Sequence, residues 1–167
     1  LRHLFFRYGI KIEGRTSWKE ILTIYYEVIH GVRTIYPDVI STLERFRDSG
    51  VRMGVISNTT NPQFIKDEER HRTGLNPYFE FALYSSSTPY RKPHPSIFNA
   101  AIARLQMDTE DILFVGDNLQ MDVAGPQAVG ISAAWLNRKG SSLSDGIIPD
   151  YQINSLSELL QIEPLKV

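Results

Sequence analysis

The sequence predicts an α/β fold: a doubly wound, mostly parallel, Rossmann-like sheet with helices on both faces, preceded by a short helical region. Three observations point there. Short apolar runs alternate with helix-length amphipathic stretches from Gly50 onward, the order that builds parallel sheets. The 167 residues are 42% hydrophobic and 22% charged, enough for one sizeable core. Several apolar runs give way to Ser, Asn or Asp, the residue types expected where strand ends form a ligand rim.

The elements follow in order. Leu1–Tyr8 reads as helix closing at Gly9, and the capping box Ser17-x-x-Glu20 opens a second one. That second helix carries Ile21, Ile24, Tyr25, Val28 and Ile29 on one face and stops at Gly31. Residues 1–35 therefore form a small helical subdomain and residues 36–167 the α/β core. Pro37 suits the first turn of a helix that turns Val39, Ile40, Leu43 and Phe46 inward and ends at Gly50. Strands are expected at Arg52–Ser57, Phe79–Tyr84, Ile112–Val115, Ser132–Leu136 and Tyr151–Ile153. Between and after them, helices are expected at Pro62–His71, Ser96–Leu105, Gln120–Val129 and Ser155–Gln161, the last opened by the capping box Ser155-x-x-Glu158. Gly130 is placed as a helix stop, and Lys139–Pro149 is a loop rich in Gly, Ser and Asp.

Composition narrows the function. Eighteen Lys and Arg against 19 Asp and Glu give a net charge of -1 with both signs interspersed, which removes the electrostatic argument for nucleic acid or a membrane surface as partner. With no cysteine, a disulfide framework, a thiolate metal site and a cysteine nucleophile are excluded, and the chain fits a reducing cytoplasm. Apolar runs such as Ile112–Val115 and Ala133–Leu136 are far shorter than the roughly 20 residues that span a bilayer. Neither an initiator Met nor a signal-peptide pattern opens the chain, so a segment upstream of Leu1 is expected.

Three motifs carry candidate chemistry. Val55-Ile56-Ser57-Asn58-Thr59 ends a strand in a hydroxyl and backbone N–H groups, a neutral cradle for phosphoryl oxygens or, alternatively, a simple polar turn. Arg91-Lys92-Pro93-His94-Pro95 precedes an amphipathic helix, and its two prolines restrict the backbone beside Lys92, a compact charge suited to a phosphoryl oxygen or a carboxylate. Gly116-Asp117-x4-Asp122 follows a strand and places two carboxylates at one sheet edge, a pattern that suits magnesium. A negative charge near a helix N-terminus is the structural alternative for Asp122. His3, His30, His71 and His94 have no metal-ligand spacing, Trp135 reads as core, and Trp18, Tyr25 and Tyr26 read as interface packing.

Taken together and in this order, Ser57, Lys92 and the Asp117/Asp122 pair resemble the haloacid dehalogenase superfamily of hydrolases, in a form closer to its phosphatases than to its dehalogenases. The resemblance spans about Tyr36 to Leu160, and the first 35 residues resemble the later part of a helical cap. It implies that Ser57, with Asn58 and Thr59 beside it, contacts the transferring phosphoryl group. Lys92 would neutralise charge on that group, Asp117 would bind Mg2+, and Asp122 would support the metal site or orient Lys92. The expected activity is hydrolysis of a small phosphorylated metabolite through an aspartyl-phosphate. The family's nucleophile sits in an Asp-x-Asp at the end of the first, central strand. None of Asp38, Asp48, Asp67, Asp108, Asp111, Asp117, Asp122, Asp145 and Asp150 has that spacing, so the first strand and its nucleophile are expected upstream or from another chain.

Two other readings stay open on the residues alone. A receiver domain uses similar groups but places its phosphorylated Asp before the hydroxyl and the lysine, the reverse of the order here. A non-catalytic binding or scaffold protein on the same fold is the second alternative. Dinucleotide-type and P-loop glycine motifs are absent.

Overall fold

The computed structural model describes residues 17–30, 34–144 and 146–162. The expected helix at Leu1–Tyr8, the stop at Gly31 and Asp145 lie outside them. Helix α1 spans Trp18–His30. Its capping box is formed, with Glu20 Oε2 accepting from the Ser17 N–H at 2.6 Å and Ser17 Oγ accepting from the Glu20 N–H at 3.2 Å. Ile24, expected on the inward face, is instead 60% exposed.

Helix α2, Pro37–Asp48, starts on Pro37 as expected and buries Leu43 and Phe46. It also buries Thr42, a polar residue made compatible with the interior by donating its hydroxyl to the Asp38 carbonyl at 2.6 Å. Gly50 follows in the left-handed region at φ 79, which lets the Val51 N–H return to the Phe46 carbonyl at 2.9 Å and closes the helix.

The strands are β1 Gly54–Ser57, β2 Phe81–Tyr84, β3 Leu113–Gly116, β4 Ser132–Leu136 and β5 Tyr151–Ile153. The last two match the expected spans, whereas β1 and β2 begin two residues later than expected and β3 is shifted by one. Glu80, before β2, already returns its N–H to the Met53 carbonyl at 2.9 Å. Helix α3, Gln63–Arg72, and helix α4, Pro95–Leu105, fill the connections after β1 and β2.

Every pairing is parallel, but the strands form two ladders: β1 with β2, and β3–β4–β5. Between β1 and β3 no described strand joins the two ladders. Packing couples what backbone hydrogen bonding does not. One cluster, with Phe98 fully buried at its centre, gathers Leu83, Ile97, Ala101 and Ile131, and packs on Ile56 of β1 as well as Phe114 of β3. Burying a ring of that size contributes about 3 kcal/mol. On the opposite face Phe46, Ala134, Ile153 and Leu159 are joined by Met53 and Leu113.

Two helices differ in kind from expectation. After β3 the chain forms α5, a π-helical segment Leu119–Ala124 running into the α-turn Gly125–Gln127, rather than one regular helix over Gln120–Val129. Pro126 has no N–H to return to a carbonyl four residues back, which breaks the regular ladder here. The final helix, Leu156–Gln161, is 3₁₀, and its capping-box residue Glu158 accepts from the Ser155 N–H at 3.1 Å.

Candidate active site

Parallel strands deliver their carboxyl ends to one edge, and three of the candidate motifs meet there. Ser57 ends β1 and is half-buried, with no side-chain hydrogen bond among the described residues. Thr59 lies one residue further on than Asn58 and is held by the loop after β2: Ser85 Oγ accepts from the Thr59 N–H at 2.9 Å and donates to its carbonyl at 3.1 Å. The Thr59 hydroxyl accepts from the Asn61 N–H at 3.0 Å.

Asn58 turns its amide onto Lys92. Its Oδ1 accepts from the Lys92 N–H at 2.9 Å, and its Nδ2 donates to the Lys92 carbonyl at 2.9 Å. The Lys92–Pro93 peptide bond is cis. Downstream, His94 caps α4 by accepting from the Ser96 N–H at 3.2 Å through Nδ1, and its ring stacks on Tyr90 at 3.9 Å. His94 is therefore engaged locally.

Lys92 is buried, and its Nζ donates to Asp122 Oδ1 at 2.6 Å. Phe114 offers its ring face 5.2 Å from the same ammonium. The other oxygen of Asp122, Oδ2, accepts from the Asn118 N–H at 3.1 Å. Both oxygens of Asp122 are thus in use, the geometry of a residue that orients the lysine. Asp117, by contrast, is exposed at the end of β3, with its carbonyl accepting from the buried Trp135 indole at 3.0 Å. Its carboxylate is the one of the pair that remains open to a cation.

Two glycines make this packing possible. A Cβ on Gly116 would lie 2.4 Å from the Asp122 Cβ, so only glycine lets the acid fold back over the strand end. Gly125 similarly admits Phe98 and Pro93 at 2.9 and 3.1 Å from where its Cβ would stand. The Gly-Asp and Ala-Gly-Pro steps were visible in sequence, but what they approach was not. Trp135, read as core, is core and in addition fixes the backbone of Asp117.

The fit to magnesium follows from the donors. Magnesium takes oxygen ligands, keeps several waters and is commonly held through one or two carboxylates plus substrate phosphate oxygens. Asp117 supplies one such carboxylate. Among the described residues no group of three Asp, Glu, His or Cys side chains gathers.

A second charged cluster lies where β4 ends. The Arg138 Nη2 donates to both oxygens of Asp38, at 3.0 and 2.8 Å, and its guanidinium stacks over Tyr36 at 4.2 Å. Asp38 also accepts from the Leu156 N–H at 2.6 Å. Burial by itself would raise the Asp38 pKa, but the hydrogen bonds from Arg138 and Leu156 outweigh it and hold the carboxyl below its usual value.

The chain is thus a parallel α/β protein that carries a hydroxyl, a buried lysine–acid pair and an exposed carboxylate at the carboxyl edge of its strands. The family profile of the haloacid dehalogenase-like hydrolases matches residues 6–130, and the chain belongs to that family. A glyceraldehyde 3-phosphate phosphatase of Methanocaldococcus jannaschii is 31% identical over 140 residues, covering 83% of this chain and 60% of that protein. A second, from Methanopyrus kandleri, is 32% identical over 76% of this chain and 55% of its own length, so the chain spans somewhat over half of these relatives. Among solved structures, a HAD phosphatase from Thermococcus onnurineus superposes with a TM-score of 0.77 at 30% identity, covering 96% of this chain and 68% of that one. A 2-haloacid dehalogenase from Pseudomonas syringae gives 0.71 at 32% identity, over 81% and 57%.

Proposed function

We propose that this chain is the larger part of a magnesium-dependent phosphoester hydrolase acting on a small phosphorylated metabolite. The observation that supports this best is the buried Lys92–Asp122 pair, which accompanies a strand-end hydroxyl at Ser57 and an exposed carboxylate at Asp117. Glyceraldehyde 3-phosphate phosphatases and a ribulose-1,5-bisphosphate 5-phosphatase among the relatives support phosphoester substrates. The zero-cysteine composition fits a cytoplasmic setting, and no described helix is long and apolar enough to cross a membrane.

In this reading Ser57 donates its hydroxyl to a phosphoryl oxygen and Lys92 matches the negative charge that grows in the transition state. Asp122 holds the Lys92 ammonium in place through the 2.6 Å contact to its Oδ1. Asp117 would hold the metal, which when bound supplies Lewis-acid polarisation of the phosphoryl group. The nucleophilic Asp of the aspartyl-phosphate route would lie on a strand that pairs between β1 and β3, a place supported by the interrupted ladder there.

The test is phosphate release by the full-length protein from p-nitrophenyl phosphate and a panel of sugar and triose phosphates, with magnesium and with chelator, alongside halide release from 2-haloacids. Magnesium-dependent phosphate release abolished by Asp117→Asn is expected. Halide release instead would assign the chain to the family's dehalogenases, and no turnover of either kind would turn the reading to a binding or scaffold protein.

A further inference from the structure

We infer that Asn58 is a positioning residue for Lys92, acting on the lysine's backbone and not on the substrate; the inference deepens the phosphatase reading and rests on it for its kinetic arm. Asn58 immediately follows the strand-end hydroxyl, where a side chain would ordinarily be assigned to the ligand. Its amide instead makes a two-point clamp, accepting from the Lys92 N–H and donating to the Lys92 carbonyl, both at 2.9 Å. A primary amide has two N–H donors and one carbonyl oxygen. The clamp uses the oxygen and one donor, and Nδ2 also lies 3.4 Å from Met121 Sδ. A ligand would have to compete for a side chain already committed.

The clamp has a purpose that the rest of the geometry explains. Lysine is a long side chain, and its ammonium is useful only if its position is fixed to within about 0.5 Å, at hydrogen-bond distance from the phosphoryl oxygen it serves. Lys92 is fixed at both ends: the ammonium by Asp122 on the β3 side at 2.6 Å, and the peptide by Asn58 on the β1 side. β1 and β3 share no ladder among the described residues. Asn58–Lys92–Asp122 is therefore a polar connection that crosses the break, and it sets the distance from Lys92 to the Ser57 hydroxyl, one residue from Asn58.

Two measurements on the full-length protein test this. The first needs no turnover: amide hydrogen exchange followed by NMR. The Lys92 N–H is expected to be protected, and Asn58→Ala is expected to speed its exchange at least about tenfold, while amides of the β3–β4–β5 ladder keep their protection. A Lys92 amide exchanging like an open loop in the wild-type protein overturns the clamp, whatever the activity. The second is a double-mutant cycle in p-nitrophenyl phosphate hydrolysis with magnesium. Asn58→Ala is expected to lower kcat roughly tenfold or more with KM nearly unchanged, and to cost less than about twofold when Lys92 is already alanine. A raised KM with kcat intact, or an undiminished effect in the Lys92→Ala background, would make Asn58 a substrate contact instead. Absence of wild-type turnover would count against the phosphatase reading alone, because the exchange measurement still decides the clamp.

Discussion

Lys92–Asp122 and Arg138–Asp38 both join residues far apart in sequence near the carboxyl ends of strands, yet they are finished in opposite ways. The Arg138 side chain reaches both oxygens of Asp38 while stacking on Tyr36, and Asp38 spends its remaining capacity on the Leu156 N–H. That is a fastener, tying the start of α2 to the loop after β4 and to the C-terminal helix. Lys92 meets Asp122 at one oxygen only, from an ammonium that carries three donors. The Lys92–Asp122 side chains are also the more buried, 10% and 7% exposed against 19% and 17%. A planar fork suits a closed contact, whereas a point charge can be held by one partner and still reach another.

Breaking the two pairs should separate these roles. The largest expected effect is catalytic: in the full-length enzyme, Lys92→Ala and Asp117→Asn should each lower magnesium-dependent turnover about 100- to 1,000-fold. Near wild-type rates in both would remove the site assignment. Next, Asp122→Ala leaves the Lys92 ammonium buried without a counter-charge and should cost about 3–5 kcal/mol, seen as a Tm lower by roughly 10 °C. The paired change Lys92→Met with Asp122→Leu should recover most of that Tm while activity stays absent. If it does not, the pair is needed for folding as well as for chemistry.

Gly116→Ala sharpens the same comparison by disturbing only one pair. Its Cβ would stand 2.4 Å from that of Asp122, so an overpacking cost of about 1–3 kcal/mol is expected together with reduced turnover. Crystal coordinates of the variant should show Asp122 displaced and the Arg138–Asp38 contact unmoved.

The fastener should show itself in the pH dependence of stability. Asp38 and Asp150 both have carboxyls held below their usual range, Asp150 by hydrogen bonds from the Ala133 N–H and Gln127. Acids with depressed folded-state values contribute stability above their unfolded value of about 3.9, and lose it as pH falls through the lower folded value. Tm should therefore drop on acidification below about pH 4, and Asp38→Asn should narrow the difference between pH 7 and pH 3. An unchanged difference would show that Asp38 is not a contributor. The smallest effect is expected at the exposed Arg72–Glu68 pair on α3, where Glu68→Gln should leave Tm unchanged within error.

Much of this was legible in the chain. The alternation of apolar runs and amphipathic stretches placed all five described strands, because a strand buried by helices needs short, unbroken apolar sequence. Ser57, Lys92, Asp117 and Asp122 stood out because strand ends and helix starts are where polar residues gather. Less legible were the inward face of α1, where Ile24 is exposed, and the π-helical turn after β3. Helical periodicity cannot announce a local change of hydrogen-bond ladder.

By itself, then, the sequence determined the fold class, the order of the elements and which residues could meet at the carboxyl edge, since these follow from local patterning and chain connectivity. Tertiary structure alone decided the division of labour among them. Asp122 turns to Lys92 while Asp117 stays open, and Asn58 clamps a peptide 34 positions away, because side-chain partners depend on distances that only packing across two separate ladders sets.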